Sequence, residues 1–171
     1  MKNINTYLFL VLSIGILVLP SCKIHYSFTG ATQMADVKTV SIQTFRNNAT
    51  LAPPILSQSF TEALKDIFTS QTNLGIISQN ADLNFEGEVT NYITSPVAIQ
   101  SNDQAALNRL TISVSVKFTN TKDEKQNFET TFSRYADYSS TQSLNAVQTQ
   151  LIDDINKELV QDIFNKAMIN W

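Results

Sequence analysis

Nine consecutive residues in the middle of the chain alternate without a break. Leu110, Ile112, Val114, Val116 and Phe118 are apolar, and Thr111, Ser113, Ser115 and Lys117 between them are polar. A period of two puts the first set on one side of a β-strand and the second on the other, so the segment predicts a strand with one buried face. Three more segments show the pattern less completely. Across residues 37–45, Val40 and Ile42 alternate with Thr39, Ser41 and Gln43. Further on, Leu83, Phe85, Gly87 and Val89 alternate with Asn84, Glu86, Glu88 and Thr90 in a strand that can continue to Val97, and Phe128, Thr130 and Phe132 alternate with Glu129, Thr131 and Ser133. Residues 120–126 are rich in turn formers and predict a hairpin between the third and fourth strands. After Phe132 the faces of Tyr135 and Tyr138 are ambiguous, and a bulge near Arg134 would account for that.

Two segments change to helical spacing. In residues 55–68, Ile55, Leu56, Phe60, Ala63, Leu64, Ile67 and Phe68 recur three and four apart, with Glu62 within reach of Lys65 on the polar side. Residues 46–54 before them read as a loop, because Pro53-Pro54 bars helix until the chain has passed. From residue 144 to 171, Leu144, Val147, Leu151, Ile152, Ile155, Leu159, Val160, Ile163, Phe164, Ala167 and Met168 form one broad stripe over about seven turns. Asp153 stands four residues before Lys157 on the polar side, a face shared by Asp154 and Glu158. Residues 73–80 carry only a short Leu-Gly-Ile-Ile run, and Pro96 with the polar insert 101–104 ends the second strand. The order strand, helix, three strands, helix predicts an α+β fold: two helices packed on one face of a four-stranded, mixed β-sheet, a two-layer sandwich. The helical crossover after strand one calls for a parallel neighbour, and strands two to four form a meander. The core should lie between Leu151, Ile155, Leu159 and Ile163 of the last helix and Ile112, Val114 and Val116. The other face of the sheet is left open, and hydroxyls and amides dominate it.

The N-terminus carries a different signal. Lys2 precedes an apolar run of about 13 residues, 7–19, too short for a membrane span of roughly 20 and suited to a signal peptide. It ends in Leu19-Pro20-Ser21-Cys22, which reads as a lipoprotein cleavage site: the small Ser21 admits the peptidase, and the Cys22 thiol takes a diacylglyceryl group and further acyl chains such as palmitate. Pro20 departs from the small residues usual there, and it also stops the apolar run from continuing as helix. The competing reading is an ordinary secretory signal followed by an incidental thiol. A lone cysteine in an exported chain has no intramolecular partner, which favours lipidation. The expected organisation is a signal peptide over 1–21, a lipidated tether over 22–36 and one domain over 37–171. Lys23-Ile24-His25-Tyr26 contains no acidic run of the kind that resembles a surface-export signal, so the domain is expected to face the periplasm.

Composition narrows the function classes. The chain is 43% apolar and 16% charged, and loss of Lys2 leaves eleven cations against fifteen acids, a formal charge of −4. No bulk basic field exists to hold nucleic acid. With Cys22 acylated, neither a disulfide framework nor a thiolate metal site can form. The single histidine, His25, lies in the tether, the pairs Glu86/Glu88 and Asp153/Asp154 lie on outward faces, and four scattered glycines make no phosphate loop. An enzyme is not expected, and no cofactor. The open face is the more informative feature, since short uncharged hydrogen-bonding side chains such as Ser113, Ser115, Thr131 and Ser133 can pack against a polar protein wall at small ordering cost.

Several stretches in order, Val37-Lys38-Thr39-Val40-Ser41-Ile42, residues 56–66 (LSQSFTEALKD), Asp82-Leu83-Asn84-Phe85-Glu86-Gly87-Glu88-Val89, Asn108-Arg109-Leu110-Thr111-Ile112, Phe132-Ser133-Arg134-Tyr135 and residues 161–166 (QDIFNK), resemble the LptE family of LPS-assembly lipoproteins in its Bacteroidetes form. The resemblance implies an outer-membrane lipoprotein that plugs the polar lumen of the β-barrel LptD, assists its assembly and helps deliver lipopolysaccharide to the outer leaflet. It also implies two helices on a four-stranded sheet, in agreement with the periodicity. LPS phosphates would need cations, for which Arg46, Lys117, Lys122, Lys125 and Arg134, near strand and loop ends, are candidates. The competing classes are an accessory lipoprotein of another outer-membrane machine, such as a pilotin or scaffold, and a lipid-anchored ligand-binding module.

Overall fold

The computed structural model describes residues 36–97 and 107–168. The signal segment, Cys22, the tether with His25, Tyr26 and Phe28, the insert 101–104 and residues 169–171 lie outside them. The elements in chain order are β1 (Thr39–Ile42), β2 (Arg46–Asn47), α1 (Ile55–Gln71), β3 (Gly75–Ile76), β4 (Leu83–Val97), β5 (Leu107–Asn120), a single 3-10 turn (Glu124–Gln126), β6 (Phe128–Ser139) and α2 (Leu144–Met168). The sheet runs β3-β1-β4-β5-β6, with β2 also paired to β4. β1 is parallel to β3 and β4, and β4-β5-β6 form an antiparallel meander. The α+β class, the mixed sheet and the two helices are as expected, but the sheet has six strands and not four. The additional two are only two residues long. β2 forms inside the segment read as a loop, because past Phe45 the chain returns to β4 (Arg46 beside Glu88, Asn47 beside Val89), and two residues are too few to display a period.

β5 and β6 pair in unbroken register from Leu107 opposite Ser139 to Phe118 opposite Phe128. The bulge expected near Arg134 is therefore absent, and Tyr135 points to the open face while Tyr138 is buried. The bulge lies in β4, between Val89 and Asn91. Before it Leu83, Phe85 and Val89 face the helices. Beyond it Tyr92 takes that role, and Ile93, opposite Thr111, turns outward.

The covered face is a continuous apolar layer. Leu151, Ile155, Leu159 and Ile163 of α2 and Ile112, Val114 and Val116 of β5 are all buried, as their periodicity requires. Aromatic rings link the layers: Phe164 to Phe68 (centroids 5.1 Å), Phe68 to Phe85 (5.0 Å), Phe85 to Phe118 (4.8 Å) and Phe118 to Phe128 (5.1 Å). α1 begins immediately after Pro53-Pro54 and extends to Gln71, where Thr72 ends it by donating both its N–H (3.1 Å) and its hydroxyl (2.6 Å) to the Phe68 carbonyl. Ile55, counted in the apolar stripe, is exposed at the first position of the helix. Glu62 pairs with Lys65 at 3.0 Å, whereas Lys157 lies 3.7 Å from Asp154 and not beside Asp153. At Gly87 an added Cβ would fall against the Ser115 carbonyl and 2.6 Å from the Phe45 ring, so only glycine lets Phe45 close this edge of the core. Thr61 of α1 accepts the Phe45 N–H at 3.1 Å, satisfying a buried donor where the chain leaves β1.

Candidate functional site

The side of the sheet away from the helices divides into two zones along the strands. In the lower zone, nearer the start of β4, the side chains are short and hydroxylic or form ion pairs. Ser113 donates to the Ser133 hydroxyl at 3.0 Å, and Ser115 stands directly opposite Thr131. These four project away from the helices, as alternation requires. Ser113 is only 9% exposed, however, because its neighbours close over it. Lys117 meets Glu86 at 2.7 Å, and that bond raises the lysine's pKa above its usual range. Arg46 lies 3.7 Å from Glu88, whose carboxylate also accepts from Asn48 at 2.6 Å. Arg46, Glu86, Glu88, Ser115 and Lys117, together with Gln43, Thr44 and Glu129, line an open hollow of about 570 Å³.

At the lower end Asp82 ties three elements together. Its carboxylate accepts the backbone N–H groups of Lys38 (2.8 Å) and Thr39 (3.0 Å) and the Thr39 hydroxyl (3.0 Å), and it lies 3.2 Å from the Lys122 ammonium. Its carbonyl accepts from Thr121 at 2.9 Å. The Lys38 N–H above all, helped by Lys122 and Thr39, holds this carboxyl down to about 2 from its usual 3.8. Ser41, on the open face by alternation, is buried under the segment after β3 and donates to the Ser78 carbonyl at 3.0 Å.

The upper zone follows the β4 bulge and has a different character. Ile93, Thr111 and Tyr135 form one cross-strand row, Ser95, Arg109 and Asp137 the next, and Val97, Leu107 and Ser139 the third. Ile93 is 51% exposed, Tyr135 52% and Leu107 41%. The Arg109 guanidinium lies 3.6 Å over the Tyr135 ring and binds Asp137 through two bonds, Nε to Oδ1 at 2.7 Å and Nη2 to Oδ2 at 2.9 Å. That bidentate bond raises the arginine's pKa further and lowers that of Asp137. Sequence alternation missed this zone, since it assigned faces in β4 only as far as Thr90. The signal was there: Thr90 and Asn91 are two consecutive polar residues between Val89 and Tyr92, a local break in the period of two.

The five candidate cations do not form one cluster. Arg46 and Lys117 share the lower hollow, and Lys122 stands at the end of the sheet beside Asp82. Lys125 sits on the 3-10 turn, where its backbone N–H donates to Asp123. Arg134 points to the helix side and binds Asp162 of α2 at 2.6 and 2.8 Å, which raises its pKa above the ordinary arginine value. Glu86 and Glu88 face outward, each against a cation. Among the described residues no group of three or more His, Cys, Asp or Glu side chains could hold a metal ion. No helix among them is long and apolar enough to cross a membrane.

With this geometry in place, the sequence model of the LptE family, described as lipopolysaccharide-assembly, matches residues 37–167. No curated protein matches by sequence. Among solved structures, the hypothetical protein CT253 from Chlamydia trachomatis superposes with a TM-score of 0.55 at 11% identity, covering 78% of this chain and 99% of that one. A minor lipoprotein from Acinetobacter baumannii gives 0.49 at 15% identity, with 76% and 91% covered. Rare lipoprotein B from Shewanella oneidensis gives 0.48 at 11% identity, with 75% and 90% covered. At such identities the likeness to the first is one of fold alone.

Proposed function

The chain belongs to the LptE family of lipopolysaccharide-assembly proteins, and we propose that it acts as an outer-membrane lipoprotein that plugs an LptD-like β-barrel, helps that barrel assemble and assists the insertion of lipopolysaccharide into the outer leaflet. In this reading the signal peptide is cut between Ser21 and Cys22, and acyl chains on Cys22, palmitate among them, hold the chain on the periplasmic side of the outer membrane. Each buried methylene contributes about 0.8 kcal/mol, so several chains give a stable anchor. The domain enters the barrel lumen with its open sheet face, including Ser113, Ser115, Thr131 and Ser133, toward the wall.

The observation that supports this reading best is the lower zone itself, a surface of small hydroxyls in which Glu86 and Glu88 are each matched by a cation and, among the described residues, Glu129 is the one carboxylate without an ion pair. Such a surface can enter a polar, water-filled lumen with little stripping of solvent from unmatched groups. Of the cations assigned to LPS phosphates, Lys125 is exposed at the turn surface with no ion pair among the described residues, and Arg46 is the most available of those that have one, because its side chain is 80% exposed and its pair with Glu88 is long at 3.7 Å. Lys117, Lys122 and Arg134 would have to exchange a carboxylate for a phosphate. No catalytic step is part of the proposed role.

The test is purification of the full acylated chain in mild detergent, with identification of what accompanies it. Recovery of an LptD-like barrel is the expected result, and recovery of a different machine or of the chain alone overturns the reading. The Cys22→Ala chain should be folded and mis-sorted. If it still fractionates wholly with the outer membrane in cells lacking the barrel, the anchor assignment is wrong.

A further inference from the structure

Seven large apolar side chains are exposed among the described residues, and the two most exposed, Leu51 at 78% and Ile55 at 56%, stand where the chain passes from β2 into α1. Between them in sequence are only Ala52, Pro53 and Pro54, so Leu51-Ala52-Pro53-Pro54-Ile55 is one apolar run with no polar side chain in it. The flanking sequence is uncharged from Asn47 to Thr61. The run is also held in shape. Asn47 donates its side-chain amide to the carbonyls of Ala52 (3.3 Å) and Pro53 (3.5 Å), the Ala52 N–H donates to the Ala49 carbonyl at 3.1 Å, and the Leu56 N–H donates to the Pro53 carbonyl at 3.0 Å. The two prolines have no N–H to withdraw from water. A loop whose backbone is largely paired within itself can leave water at small cost. The N–H groups of Thr50, Leu51 and Ile55 make no such bond among the described residues. The loop therefore suits the boundary between headgroups and acyl chains, where water remains, and not the hydrocarbon core.

We propose that this loop is a second membrane contact, a short wedge that dips into the surface of the bilayer in which the Cys22 acyl chains are seated. The inference rests on the lipid-anchor reading above and requires nothing of the barrel. Two observations select a lipid surface over a protein cleft. The run carries no side-chain donor, acceptor or charge with which a partner protein would fix its orientation, and a bilayer surface needs none. The second is the reach of the chain. Asp36 is 14 residues beyond Cys22, at most about 50 Å of extended chain. The loop lies only roughly 20 Å along β4 from the point of entry, since Val40 stands beside Leu83 and Asn47 beside Val89. The anchor thus keeps the loop within reach of the bilayer, and a contact too weak to hold a free protein closes when it is intramolecular. One attachment leaves a domain free to tumble at the surface. Two fix which end of it faces the lipid.

The experiment uses the full acylated chain in phosphatidylcholine vesicles. Cys22 is the only cysteine, and in this reading its thiol is blocked, so Leu51→Cys gives a single site for a polarity-sensitive fluorophore, with Lys125→Cys on the 3-10 turn as the comparison. The label at 51 is expected to shift to the blue on vesicles, to lose its quenching by aqueous iodide and to be quenched by nitroxide-bearing lipids, while the label at 125 does none of these. A label at 51 as open to iodide as the one at 125, in a chain that stays with the vesicles, overturns the inference and leaves the anchor reading intact. A chain that does not stay with the vesicles, or whose Cys22 is unmodified by mass spectrometry, removes the anchor reading and the inference with it. Shielding of position 51 in the absence of vesicles, by a second copy or a copurifying protein, also overturns the proposal. Ile55→Asp in the labelled chain is expected to restore iodide quenching at 51 with no loss of melting temperature, because Ile55 is exposed and an acidic group suits the first turn of a helix. A label that stays shielded in that variant is inserting by itself, and the wedge is then not the loop's.

Discussion

Two neighbouring rows of the sheet, one residue apart, show how differently its faces are held. Phe85, Phe118 and Phe128 stand in one row on the helix side and stack in sequence with centroids about 5 Å apart. Glu86, Lys117 and Glu129 stand in the next row, on the open side, half in water. Burial of apolar area and ring stacking hold the first row, and removing one member leaves a cavity. The second is held by screened ion pairing, which contributes little to folding. The same strands thus carry a face that specifies the fold and a face released from that duty, and only the second is available for recognition.

The largest expected effect belongs to the covered face. Ile155→Ala should cost about 2–5 kcal/mol and lower the melting temperature by roughly 10 °C. An unchanged melt would mean that α2 does not close on the sheet, and the distinction between the faces would collapse. Gly87→Ala comes next. The added methyl meets the Ser115 carbonyl and the Phe45 ring, and such overpacking costs about 1–3 kcal/mol. A thermally neutral Gly87→Ala would show that the β4–β5 backbone at Ser115 and the Phe45 ring both shift at little cost.

The third effect is confined to acid. Asp82 titrates at about 2 in the folded protein against 3.8 ordinarily, so the unfolded chain takes up the proton first. Its contribution to stability is therefore complete above about pH 4 and is lost as pH falls toward 2. Asp82→Asn should lower the melting temperature at neutral pH and flatten this part of the acid limb. An acid limb identical to wild type would remove Asp82 from the account. The smallest effect is on the open face, where Thr131→Lys should change stability by less than about 0.5 kcal/mol and yet reduce barrel recovery. Recovery at the wild-type level would mean that the hydroxyl zone is merely solvated.

How much of this was legible in the sequence depends on the length of each pattern. β5 and α2 repeat their period over many residues, and the core assigned to Ile112, Val114, Val116, Leu151, Ile155, Leu159 and Ile163 is the core observed. β2 and β3 are two residues each and exist only because β4 and β1 lie beside them, so no local pattern could mark them. Arg109 and Asp137 are 28 residues apart, and their meeting depends on the hairpin register, which alternation does not fix. The β4 bulge had a local trace in Thr90-Asn91, and its effect on Ile93 was readable only once the register was known. The candidate cations were chosen by charge and loop position, and Arg134 shows why that is insufficient: one step in parity carried it to the helix side.

The position of Asp82 also has a mechanical meaning. Residues preceding Val37 enter the domain at β1, so any pull from that direction is applied first to this short strand. β1 is only four residues long and is joined to β4 across more than forty residues of chain, whereas the β4-β5-β6 meander is local and extensive. The bonds nearest the point of load are those from the Lys38 and Thr39 N–H groups to the Asp82 carboxylate, ahead of the first β1–β4 ladder pair at Val40 and Leu83. A charge-assisted clamp on two adjacent donors thus stands where tension would begin to peel β1 from β4, and the meander behind it can keep its register while β1 is strained.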